Sequence, residues 1–149
     1  MPFTLQLPDE YGYILAVASS TFLLNTYHFF LTGSSRRASG VAYPAPYATD
    51  EQVAKNPKAL TFNCAQRAHA NFIENQPSFL GALAIAGLRF PMTSAVLGAT
   101  WVFGRLAYAI GYTSSGPKGR LFGFAVSALS DNSLRLMAMY ASVMYVMGQ

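Results

Sequence analysis

Four long apolar stretches alternate with short polar segments along this chain. The first runs from Tyr11 to about Thr32 and carries no formal charge over more than 20 residues. At 1.5 Å per residue a helix of that length covers about 30 Å, the thickness of a bilayer's hydrocarbon core. The second runs from about Thr61 to Leu88. Its first half is amphipathic, with Arg67, His69, Asn71 and Glu74, and its second half is almost wholly apolar. Pro77 lies inside it and is expected to kink the helix or to open its hydrogen bonding locally. The third, about Thr93 to Tyr112, contains Arg105. The fourth, about Arg120 to Met147, contains Asp131, Asn132 and Arg135. The pattern predicts an all-α integral membrane protein, a single domain over 1–149 forming a four-helix bundle with spans of about 11–32, 61–88, 93–112 and 120–147.

Between the first two apolar stretches lies the one long loop, Gly33 to about Leu60. It is polar and is broken by Pro44, Pro46 and Pro57. The other connections are Arg89–Met92 and Thr113–Gly119. Composition agrees with a membrane class: 52% of residues are hydrophobic and 11% charged, against roughly 25% charged in soluble domains. The net charge of +4 does not point to nucleic acid, because the basic residues are scattered and no nucleic-acid motif accompanies them. Basic residues gather on one side instead: Arg36, Arg37, Lys55, Lys58, Arg67, Lys118 and Arg120 flank the long loop and Thr113–Gly119, and Arg89 alone flanks the other side. The positive-inside tendency places the long loop in the cytosol and both termini across the membrane. Met1–Glu10 ends in Asp9 and Glu10 and has no basic n-region, so the first apolar stretch is expected to be a retained span and not a cleaved signal.

Candidate chemistry is confined to charged and polar groups inside the apolar stretches. Each such charge costs about 2.5–3.5 kcal/mol at a span's centre and needs a partner or a wet cleft. Arg67, Asn71 and Glu74 stand at i, i+4 and i+7, one face of a helix. Arg105, Tyr108 and Tyr112 stand at i, i+3 and i+7 on another. Taken alone, Arg67 with Glu74 is equally a plain salt bridge, and Tyr112 an interfacial anchor. Asp131 and Arg135, four apart, are expected to neutralise one another. Asn25 and His28 are expected to hydrogen-bond between helices. Taken together, the two sets lie near the cytosolic helix ends with Arg36, Arg37 and Arg120. Several guanidinium groups, a carboxylate, an amide and phenols suit a small ligand bearing carboxylates and an ammonium. A single cysteine, Cys64, permits no disulfide framework, and His28 and His69 are far apart in sequence, so no metal site is expected.

Several stretches carry a resemblance to a known family: Ser35-Arg36-Arg37, Val41-Ala42-Tyr43-Pro44, Phe62 through Asn71 with Glu74 and Pro77, and Gly104-Arg105-Leu106-Ala107-Tyr108 through Gly111-Tyr112 to Arg120. The chain resembles the membrane-associated proteins in eicosanoid and glutathione metabolism, most of all the type 3 microsomal glutathione transferases, with leukotriene C synthase as a relative. The resemblance covers Glu10 to the start of the fourth span and is weak beyond. It implies a homotrimer of four-helix protomers binding glutathione as co-substrate between subunits at the cytosolic ends. By matching position it implies glutathione contacts from Arg37, Arg67, Asn71, Glu74, Arg105, Tyr108 and Tyr112, and a catalytic Arg120 that holds the thiolate. Asn75 departs from the tyrosine of leukotriene C synthase. The implied activity is transfer of glutathione to lipophilic electrophiles, or reduction of lipid hydroperoxides, in the endoplasmic reticulum or the outer mitochondrial membrane. A non-catalytic scaffold that presents lipid to another enzyme is the competing expectation, and a small channel or transporter the third.

Overall fold

The structure, a computed structural model, describes residues 6–148. The first half of the Met1–Glu10 segment, and with it part of the signal-peptide expectation, lies outside the described residues. Five helices follow in order: α1 Tyr11–Ser39, α2 Asp50–Lys55, α3 Pro57–Gly87, α4 Pro91–Ser115 and α5 Leu121–Val146.

Local chemistry explains the boundaries. Gly40 closes α1 in the left-handed conformation and returns its N–H to the Arg36 carbonyl. Pro57 opens α3 and Pro91 opens α4, where a missing N–H costs nothing. The long loop is more ordered than its polarity implies. Thr49 and Gln52 form a reciprocal capping box that starts α2. Asn63 of α3 grips both backbone groups of Ala48, at 2.7 and 3.0 Å. The short helix α2 was not among the expected elements, although Thr49-x-x-Gln52 is its readable signature. α3 continues unbroken through Pro77 to Gly87, so the proline does not divide the helix.

α3 is the centre of the bundle. It packs against α1, α4 and α5, while α1 and α5 do not touch. The core is aromatic: Trp101 stacks on Phe79 with centroids 3.8 Å apart, and Phe72, Leu83, Ile14 and Leu134 close around them. α4 and α5 approach closely enough that a Cβ on Gly123 would collide with the Tyr108 backbone and the Gly104 carbonyl. The antiparallel pairing Gly104 with Ser127, Tyr108 with Gly123 and Gly111 with Gly119 follows from these small residues.

The outside of the bundle is apolar. Leu23 is 75% and Leu129 73% exposed, both mid-helix. A bundle surrounded by water would place polar residues there, so these faces are built for a non-aqueous neighbour. Among the described residues α1 alone is long and apolar enough to cross a membrane by length and composition. α3, α4 and α5 have the length but carry formal charges within the helix, Arg67 and Glu74, Arg105, and Asp131 and Arg135, which the bundle turns inward or pairs.

Candidate functional site

The polar residues of α3, α4 and α5 meet at the end of the bundle where α4 finishes and α5 begins. Arg105 is buried, 5% exposed. Its Nη1 donates to Asn71 Oδ1 at 2.5 Å, and its guanidinium lies 5.2 Å from the Trp101 ring centroid and 5.8 Å from that of Tyr108. A charged donor held by an amide between two aromatic faces has one orientation. Tyr108 continues edge-on to Tyr112 at 5.6 Å. Tyr112 in turn receives a hydrogen bond from Arg120 Nη1 at 3.2 Å, with the guanidinium 5.0 Å over its ring. Asn71, Arg105, Tyr108, Tyr112 and Arg120 therefore form one connected chain of contacts across three helices.

Arg67 and Glu74 lie on the same α3 face as Asn71 and pair with each other, Nη1 to Oε1 at 2.9 Å. Both side chains are about half exposed, so water and ligands reach them, and the pair adds little to stability by itself. Arg120 stands at the N-cap of α5, where the helix's free N–H groups supply positive potential. Cations, an amide, phenols and one accessible carboxylate share this cleft. It is suited to a small zwitterion carrying more than one carboxylate, with a cation left over for an anion that develops or persists at the α5 start.

The structure separates two of the expected participants. Arg36 is buried and donates from Nη1 to the Ala45 carbonyl at 2.8 Å, between the rings of Tyr43 and Phe62 at 4.2 and 4.5 Å. It fastens the long loop to α1 and α3 and is not a cleft cation. Arg37 is exposed and opens on a groove of about 620 Å³ between α1 and α3, with Tyr43, Gln66 and His69. None of the residues of the Asn71–Arg120 chain lines that groove. One protomer thus presents Arg37 and the remaining seven site residues on different faces.

The structure also brings together residues that the sequence reads separately. His28 and His69, 41 positions apart in sequence, stack at 5.5 Å, and His28 also stacks on Phe72 at 5.0 Å. The ring nitrogens of His28 have no hydrogen-bond partner among the described residues, so its expected interhelical hydrogen bond is replaced by ring stacking. α1 is bonded to α3 instead through Gln76 Nε2 donating to Thr21 Oγ1, 3.0 Å, and Tyr11 Oη donating to the Ala84 carbonyl, 3.0 Å. Cys64 is buried against Tyr108 and Tyr112, packed beneath the cleft. Trp101, which seats Arg105, has no sequence signal beyond being the chain's one tryptophan. Among the described residues no three His, Cys, Asp or Glu side chains assemble as a metal site.

Known proteins place this architecture. An uncharacterised protein of the cyanobacterium Synechocystis sp. is 31% identical over 119 residues, covering 79% of this chain and 77% of that protein. The family model of the MAPEG family matches residues 14–140, from the first turn of α1 to the last third of α5. The chain therefore belongs to the MAPEG family, a membrane-associated family that includes glutathione transferases and related enzymes.

Proposed function

We propose that this protein is a membrane-bound glutathione transferase or glutathione peroxidase acting on lipophilic electrophiles or lipid hydroperoxides. The connected chain Asn71–Arg105–Tyr108–Tyr112–Arg120 beside the Arg67–Glu74 pair carries this reading. Glutathione offers two carboxylates, an ammonium and a thiol. Arg67 pairs with a carboxylate, Glu74 with the ammonium, and Arg120 with the thiolate. In transfer, the thiolate attacks the electrophilic carbon and the displaced electron pair leaves with the leaving group or takes up a proton. In peroxide reduction it attacks the terminal oxygen of the O–O bond instead, the alkoxide leaves and takes up a proton as the alcohol, and a second glutathione thiol displaces water from the resulting sulfenic acid to give the disulfide.

The accompanying topology is four crossings by α1, α3, α4 and α5, with the cleft on the cytosolic face of the endoplasmic reticulum membrane, or else of the outer mitochondrial membrane. Their apolar outer faces and their length support it. The assembly is a homotrimer. The family resemblance implies three copies, and the opening of Arg37 on a groove that the Asn71–Arg120 chain does not line supports a site shared between copies. Protease added outside sealed microsomes is expected to cut within Gly33–Leu60 and to spare a C-terminal tag. Cleavage of the tag with the loop protected reverses the orientation.

The decisive measurement is glutathione turnover of a model electrophile by purified protein. Lipid binding without turnover would identify the scaffold branch. Glu74→Gln keeps the side chain's size and removes its charge. Loss of a charge-assisted hydrogen bond costs about 1.5–3 kcal/mol, so glutathione affinity is expected to fall roughly ten- to hundredfold, with the assembled protein recovered in normal yield. Unchanged affinity removes Glu74 from the site. Lost assembly makes the Arg67–Glu74 pair a fold element only.

A further inference from the structure

Within the apolar depth of the bundle sits a second polar cluster that the cleft does not use. Arg135 of α5 donates from Nη2 both to Asp131 Oδ2, 2.6 Å, and to Ser78 Oγ of α3, 3.0 Å. The two ionised partners are not equivalent: the Asp131 side chain is 7% exposed and that of Arg135 43%. Asp131 faces inward, where its charge also acts on Arg105, and Arg135 faces outward. Its Nη1 makes no hydrogen bond among the described residues. Arg105, Asp131 and Arg135 together hold one net positive charge inside the bundle, so the Asp131–Arg135 pair is not self-contained.

That charge lies deep. Fifteen positions of α5 separate Arg120 from Arg135, about 22 Å of helix rise. The way down is marked: Arg67, Asn71, Glu74 and Ser78 follow one another at four, three and four positions on a single face of α3. A half-exposed guanidinium at this depth is costly unless an anion meets it. Within the long helices a second copy of the chain has no unpaired carboxylate to offer at this depth. The six acidic side chains are Asp9 and Glu10 before α1, Asp50 and Glu51 on α2, Glu74 paired with Arg67, and Asp131 itself.

We propose that Arg135, braced by Ser78 and Asp131, is the anchor for the carboxylate of a long-chain, fatty-acid-derived ligand whose body runs along the α3–α5 face toward the cleft. A guanidinium whose orientation is already held by two partners loses little freedom on meeting a carboxylate, and one carboxylate neutralises the cluster. Under the glutathione reading, on which the identity of this ligand as co-substrate rests, the carboxylate sits at the end remote from the reacting group. Long-chain acids are then preferred over short ones.

The test uses the full chain in lipid nanodiscs and a conjugated-tetraene fatty acid, parinaric acid, beside its methyl ester. Energy transfer from Trp101, the one tryptophan, reports binding. Wild-type protein is expected to bind the acid at least tenfold more tightly than the ester. Arg135→Gln is expected to weaken the acid roughly ten- to hundredfold and to erase the preference, while Arg135→Lys retains part of it. Equal binding of acid and ester by wild type overturns the proposal, and so does an equal loss of both in Arg135→Gln. Should Arg135→Gln fail to assemble, the wild-type ratio and Arg135→Lys decide. The parent reading is tested separately by wild-type glutathione turnover of an uncharged electrophile. Acid preference without that turnover supports the anchor in a protein that carries lipid acids without conjugating them.

Discussion

Arg120→Ala is expected to bind glutathione and to lose most of its turnover at pH 7, recovering in part as the pH rises. A free thiol with a pKa near 8.5 is about 3% thiolate at pH 7. A guanidinium within about 4–6 Å lowers such a pKa by roughly 1–3 units, and a two-unit shift is worth about 2.7 kcal/mol. The thiolate then makes up roughly three quarters of the bound form at pH 7, so its loss costs roughly 25-fold in rate there. The sign is fixed by the direction of that shift. With the cation present the thiolate persists down to the lowered pKa. Without it the thiolate forms only as the pH approaches the free-thiol value, and the variant regains rate on the alkaline side. Arg120 fits the role by position: it opens α5, it is steered by Tyr112, and its guanidinium is always charged. Arg105 is the rival cation, but it is buried and already holds Asn71. Difference absorbance of the bound thiolate checks the prediction. If Arg120→Ala keeps both absorbance and rate, the thiolate belongs to another cation, and Arg105→Ala becomes the variant to measure.

Gly123→Val is expected to abolish folded protein, by more than about 3 kcal/mol of overpacking. Its added carbons would fall on the Tyr108 backbone and the Gly104 carbonyl, which no rotamer change relieves. α4 and α5 would have to separate, and with them Tyr112 from Arg120, three residues before Gly123. Gly12→Val is the control, because a Cβ there meets nothing within 4 Å and valine is the better helix former. Thermal unfolding in detergent, with size-exclusion profiles, compares the two. A Gly123→Val protein as stable as Gly12→Val would mean that the helices pack less closely than described.

Much of this molecule is legible in its sequence because helices announce themselves locally. One uncharged run the length of a bilayer and three apolar stretches of similar length mark the long helices, while Pro57 and Gly40, which set the start of α3 and the end of α1, read from composition alone as part of the polar loop. The i, i+4, i+7 spacing of Arg67, Asn71 and Glu74 is also local, and puts them on one face wherever that helix packs. The family-like stretches also lie in consecutive segments, and the family match over 14–140 rests on that same local order. The α2 capping box is equally local, but the helix it starts has only six residues and lies in a polar, proline-rich loop whose composition masks it.

Pairings across helices are a different matter, since they depend on which faces meet and at what height. That Arg36 leaves the cleft to hold the loop, and that Arg37 opens on a separate groove, follows from the return of the chain over α1 and α3. That His28 stacks on His69 follows from the α1–α3 crossing. The Asp131–Arg135 spacing predicted an ion pair, and helix geometry supplied it. Whether the pair is closed or leaves a cation outward was settled by Ser78 on α3 and Arg105 on α4, residues 57 and 26 positions away from Arg135 and Asp131. By itself the sequence determined an apolar, all-helical chain with charged and polar groups on one face of α3 and a match to the MAPEG family, because hydrophobic period and residue spacing are local. Only the tertiary structure decided which charges are spent on holding the fold and which remain for a ligand, because that depends on contacts between helices distant in sequence.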